Sequence, residues 1–227
     1  MKTIVYVDGF NLYYGRLKLT PFKWLDIFKL FSEQIIAVQC PEAQVTKLKY
    51  FTADIKSNFA SHGQLAKKSQ NDYIRALQLS YPQQLEIIKG YYSPDRASLP
   101  VYKKPPNKQN TTEVWKLEEK QTDVNIALHL FRDAMKAQAE QVVLVSNDTD
   151  LETALAMIRE EQGLKIKIDV VIPAPKSIDK KRRPSNQRLS KYADWTRHYI
   201  LDHELEYSQL PKQIATNKKP IIKPKYW

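Results

Sequence analysis

Three carboxylates in this sequence stand where chemistry on a charged substrate would need them. Asp8 follows the apolar run 4–7, in Val7-Asp8-Gly9-Phe10-Asn11. Asp148 follows the apolar run 142–145, in Ser146-Asn147-Asp148-Thr149-Asp150. Asp123 opens a helical stretch that leads towards the second of these runs. Short β-branched runs read as buried strands, and open parallel sheets bind ligands beyond the carboxyl ends of their strands. Two strands therefore deliver carboxylates to one edge. Anions crowded there repel one another and hold protons more tightly. A hard cation removes that cost, and Mg²⁺ or Mn²⁺ is held by a few carboxylates plus water. Each acid alone also has a plainer role. Asp8-Gly9 suits a turn, while Asp123 and Asp148-Thr149-Asp150 suit helix N-termini. Taken together, the acids favour the metal-site reading.

The elements that must position them follow from periodicity. Strands are expected at 4–7, 45–51, 85–88, 142–145 and 165–172, and helices at 24–38, 65–79, 123–135 and 151–159. The alternation predicts an α/β fold: an open, Rossmann-like parallel sheet with helices on both faces, in three layers. Runs 4–7 and 142–145 are apolar without interruption, as central strands covered on both faces should be. Residues 92–112 hold Pro94, Pro100, Pro105 and Pro106 and read as a long loop, a flap over substrate. This stretch separates Asp123 from the preceding strand, so its place at the edge is the least fixed of the three. Residues 173–183 also read as loop. The expected division is a domain over 1–205 and a Lys/Pro-rich tail over 206–227, extended after Leu210.

The motifs as a set resemble the NYN domains, a branch of the PIN-like nucleases. The opening motif is similar to Val7-Asp8-Gly9-Phe10-Asn11-Leu12, the second to Lys120-Gln121-Thr122-Asp123-Val124, and the third to Ser146-Asn147-Asp148-Thr149-Asp150. Arg188-Leu189-Ser190-Lys191-Tyr192-Ala193-Asp194 is similar to the family's final helix, and the likeness covers about residues 1–200. It implies metal-dependent hydrolysis of phosphodiesters, usually in RNA. By that analogy Asp8, Asp123 and Asp148 hold Mg²⁺ or Mn²⁺, and Asp150 adds a further ligand or supports one. Asn11 orients a ligand or water, and Ser146 hydrogen-bonds a carboxylate. Lys120 reaches the scissile phosphate or, as often for an exposed lysine, only solvent.

Composition supports a polyanionic partner. Lys and Arg number 36 against 25 Asp and Glu, a net charge of +11, of which residues 176–227 carry +8. RNA, single-stranded or looped, is the expected partner, with DNA left open. Lys180, Lys181, Arg182, Arg183 and Arg188 are candidates for the phosphate backbone. Tyr13, Tyr14, Tyr91, Tyr92 and Tyr102 are candidates for base stacking. The single cysteine, Cys40, excludes an internal disulfide and a Cys-rich zinc site. The opening residues lack a signal-peptide pattern and no run suits a membrane span, so the expected location is cytoplasmic. With five glycines in all, a dinucleotide fingerprint is absent. His129 reads as structural. Two rivals remain: a non-catalytic nucleic-acid-binding or adaptor domain, and a small-phosphoester hydrolase. The latter's Asp-x-Asp nucleophile motif is broken by Phe10.

Overall fold

The computed structural model describes residues 1–176 and 187–227. It opens with β1, Lys2–Asp8, and α1, Gly9–Leu12, which continues into a π-helical turn, Tyr13–Leu17. A second helical body joins α2, Ile27–Lys29, a π-helical stretch, Leu30–Ile36, and α3, Ala37–Gln39. Then come β2, Gln44–Ala53, α4, Gly63–Ser80, β3, Leu85–Pro100, β4, Thr111–Lys120, and α5, Thr122–Met135. The chain goes on through β5, Gln141–Val145, α6, Glu152–Gln162, β6, Lys167–Val171, and α7, Gln187–Ser190. The final elements are β7, Trp195–Arg197, α8, Asp202–Tyr207, and the short pair β8, Gln213–Ile214, and β9, Ile221–Ile222.

Among the described residues seven strands form one sheet in the order β4-β3-β2-β1-β5-β6-β7, parallel except at the β3/β4 hairpin. Successive side chains along a strand face opposite ways. Val5, Val7, Val143 and Val145 pack with Leu30, Phe31, Ile35 and Leu77 on one face. Ile4, Tyr6, Val142 and Leu144 pack with Ile126, Leu130, Leu155 and Ile158 on the other. This is the expected three-layer α/β sandwich, and burial on both faces explains why the central runs are unbrokenly apolar. The chain moves from β1 out through β2 and β3, then returns through α5 to β5 on the other side of β1. The order of strands therefore reverses between β1 and β5, the place where such sheets bind ligands.

One polar cluster lies inside the second layer. The Tyr6 hydroxyl donates to Asp133 Oδ2 at 2.8 Å, and Lys49 Nζ meets the same oxygen at 2.5 Å. His129 Nδ1 lies 3.3 Å from Lys49 Nζ. Burial pushes the Asp133 carboxyl up, but hydrogen bonds from Lys49 and Tyr6 more than offset this and its pKa is lowered. His129, expected to be structural, belongs to this cluster, which fastens α5 to β1 and β2.

The sequence expectations need four corrections. The supposed loop at 92–112 is mostly hairpin: Tyr91 pairs with Lys120 and the ladder runs to Pro100 opposite Thr111. Pro94 and Pro100 fit because β2 accompanies β3 only as far as Gly90. Beyond it β3 has an open side, where a residue without an N–H costs no ladder bond. The connecting loop shrinks to 101–110. Secondly, residues 188–194 do not form one helix. α7 ends at Ser190, and the following residues lead into β7, a strand of three residues beside β6. Thirdly, the stretch after Leu210 folds back on the body. Ile221 is buried, and the Trp227 ring lies 6.2 Å from that of Trp24 and 5.6 Å from that of Tyr73. Lastly, the helix expected over 24–38 begins at Ile27, where Asp26 Oδ1 accepts the Lys29 N–H at 2.9 Å and caps it. Among the described residues no helix is long and apolar enough to cross a membrane.

Candidate active site

Asp8 ends the central strand and is almost fully buried. Its Oδ1 accepts the Asn11 backbone N–H at 2.9 Å. Its Oδ2 accepts the Asn11 side-chain amide at 2.6 Å and the Ser146 hydroxyl at 2.9 Å. The capping role and the site role are thus one geometry. Gly9 is required here, since a Cβ would stand 2.6 Å from the Phe51 carbonyl oxygen and 2.9 Å from the Tyr50 ring. Ser146 also accepts the Asp148 N–H at 3.0 Å, so one hydroxyl ties the end of β1 to the loop after β5. Asp148 Oδ1 in turn accepts the Asp150 N–H at 3.0 Å. Asp123 lies in the first turn of α5. The residue before that helix, Gln121, has φ 72°, a left-handed conformation uncommon for a residue with a side chain.

These acids lie close enough to influence one another's charge. Asp123 is pushed up to about 6, first by burial and then by the charges of Asp148, Asp8 and Asp150. Asp8 is raised by burial, which outweighs its hydrogen bonds from Asn11 and Ser146, and Glu119 adds to the rise. Glu119 was not among the sequence candidates. It lies on β4 opposite Tyr92, whose hydroxyl donates to Glu119 Oε2 at 3.2 Å, and the Thr122 hydroxyl donates to Oε1. Burial raises its pKa against those two bonds, and Asp123 raises it further. The signal was a strand period of two over Trp115, Leu117 and Glu119, hidden by reading the neighbouring stretch as loop.

Other candidates are placed differently. Lys120 alternates with Glu119, pairs with Glu118, and stands on the other face of the hairpin, away from the carboxylates. Arg188, on α7, lies beside the loop that follows β5, with its Nε 3.7 Å from Glu152 Oε2. Lys180, Lys181, Arg182 and Arg183 lie outside the described residues. Tyr91 projects from the same face as Lys120, and Tyr102 stands exposed in the hairpin loop. Tyr13, Tyr14 and Tyr92 line a cavity of about 500 Å³ that also touches Gly9 and Glu119.

The donor set is all carboxylate oxygen, which suits a hard divalent cation. Among the described residues no three His, Cys, Asp or Glu side chains are grouped as a ready-made cage. The fit is thus to an ion held by one or two carboxylates and completed by water, as Mg²⁺ commonly is.

The family model of the NYN domain matches residues 2–188. A curated relative from Pseudomonas putida, named 6-hydroxy-3-succinoylpyridine 3-monooxygenase, is 37% identical over 243 residues. That match covers 100% of this chain and 75% of the relative. A solved structure, of a protein of unknown function from Vibrio parahaemolyticus, aligns with a TM-score of 0.43 at 18% identity, covering 88% of this chain and 93% of that one.

Proposed function

Because this chain belongs to the NYN domain family, we propose that it is an endoribonuclease that hydrolyses phosphodiesters with Mg²⁺ or Mn²⁺ held, with water, by one or two carboxylates of the set Asp8, Asp123 and Asp148 at a time. One observation carries this reading: the Ser146 hydroxyl joins Asp8 to the Asp148 backbone at the ends of the two central strands, and Asp123 stands close enough to feel the charge of both. A cluster so arranged is costly without a cation and favourable with one. When bound, the ion supplies Lewis-acid activation of water and neutralises charge developing on the phosphate. Ser146 and Asn11 hold the Asp8 carboxylate in one orientation. Asp150 stands beside Asp148 as a further donor. Glu119, its carboxyl raised by burial, adds a further acid beside Asp123. The basic residues of 176–191 grip the RNA backbone beyond the scissile bond. The test incubates labelled single-stranded RNA with the protein and Mn²⁺, Mg²⁺ or EDTA, beside Asp8→Asn and Asp148→Asn. Metal-dependent cleavage lost in both variants is expected. Folded protein that binds RNA without cutting it means an adaptor domain instead.

The P. putida relative motivates a second reading, since it matches the whole of this chain and its name states oxygenation of a hydroxylated pyridine. In that case the chain hydroxylates a small heteroaromatic acid, one oxygen atom of O₂ entering the ring and the other leaving as water at the expense of a two-electron reductant. Oxygen uptake dependent on 6-hydroxy-3-succinoylpyridine and the reductant, with RNA left intact, is the outcome that selects it.

A further inference from the structure

The cavity beside the acids has walls that the carboxylates do not explain. Phe10, Tyr13 and Tyr14 line one side, on α1 and the π-helical turn that extends it. Single π-turns are frequently found at functional sites, because the extra residue re-aims side chains. Phe59 and Tyr92 line the cavity as well, and so do Tyr226 and Trp227. The rings are organised: Phe10 and Tyr14 lie 4.4 Å apart, and His62 stacks on Tyr226 at 4.6 Å. Phe10, Tyr13, Tyr14 and Phe59 all remain more than a third exposed, so packing is not what they complete. Charge on the lining is lopsided. Lys18, Lys23 and Lys56 stand against one carboxylate, Glu119. A volume of about 500 Å³ is that of a small-molecule site.

The geometry points to a binding site for a planar aromatic ring that carries an acidic group, the ring against the aromatic wall of the cavity and the anion on the lysines. This ligand chemistry has two sources: the base and phosphate of a nucleotide, or a free heteroaromatic acid. Binding needs neither cleavage nor oxygenation, so the site stands or falls apart from both readings of the reaction.

The experiment titrates the full chain by calorimetry, in EDTA, with adenosine 5′-monophosphate, uridine 5′-monophosphate and 6-hydroxynicotinate. Ribose 5-phosphate supplies the anion without a ring. At least one ring-bearing acid is expected to bind about tenfold more tightly than ribose 5-phosphate. Tyr14→Ala and Lys56→Gln are each expected to weaken it about tenfold without lowering the melting temperature. Should Tyr14→Ala fail to fold, Phe59→Leu and Lys56→Gln serve the same purpose. A nucleotide preference assigns the site to nucleic acid, and preference for 6-hydroxynicotinate assigns it to a free ring. Equal binding of ribose 5-phosphate, absence of binding by every ring probe, or binding that none of the substitutions weakens would overturn the inference.

Discussion

Ser146 is the residue on which the acid site turns, because it donates to Asp8 and accepts from Asp148. Groups that orient metal-holding carboxylates commonly matter by 10- to 100-fold. Ser146→Ala is therefore expected to lower apparent Mn²⁺ affinity by roughly 10- to 100-fold, read from metal titrations of cleavage, with little change in the melting temperature. Asp123 gives a pH signature. Its folded pKa, about 6, lies above its ordinary 3.8, so the fold holds the proton more tightly than the unfolded chain does. Without metal, the stability that Asp123 contributes is fully present below 3.8 and is lost as pH rises through about 6. Asp8 and Glu119 act in the same direction. Because Asp123 is half-exposed, screening reduces the effect. Melting is expected to be roughly 2–4 °C lower at pH 7.5 than at pH 5. Mn²⁺ should restore it, and Asp123→Asn should shrink the difference. A melting temperature unmoved by pH and metal would remove the electrostatic case for the site.

At the scale of elements, α5 has to be held at both ends to bring Asp123 to the edge. Its far half is anchored by the buried Lys49–Asp133 contact. Deleting one partner leaves the other charge buried and alone, which costs about 3–5 kcal/mol. Asp133→Ala is expected to show that loss in urea unfolding. Lys49→Met with Asp133→Leu is expected to recover most of it. Gly9 is the second constraint at this scale, and Gly9→Ala should cost about 1–3 kcal/mol, since backbone must move to admit the methyl. These elements were unevenly legible in the sequence. The central strands and α4, α5 and α6 were plain, because long apolar periods admit one reading. The hairpin was not, because proline argues against a strand only where both edges are paired, and pairing is a tertiary fact. Glu119 disappeared with it. β7 has three residues, too few to show a period. The fold-back of 211–227 rests on Ile221 and Trp227 among lysines and prolines, so composition concealed it. Asp8 and Asp148 were readable because strand ends are local. That Asp123 comes within range of their charge was not, since it depends on how the hairpin delivers α5.

For the whole molecule, net charge sets the terms of association. A chain at +11 that grips RNA through phosphate contacts releases counter-ions on binding, so its affinity falls with salt. RNA binding measured with the Asp148→Asn protein is expected to weaken at least about tenfold between roughly 50 and 200 mM salt. A flat response would speak against an RNA partner and for the small-ring ligand. The sheet order has a consequence during synthesis too. β1 is made first, yet it lies between β2 and β5, whose residues pair with it from Gln44 and Gln141 onwards. Asp8 cannot meet Ser146 until more than half of the chain has left the ribosome. An enzyme able to cut RNA would thus stay harmless to the message that encodes it through most of its own translation.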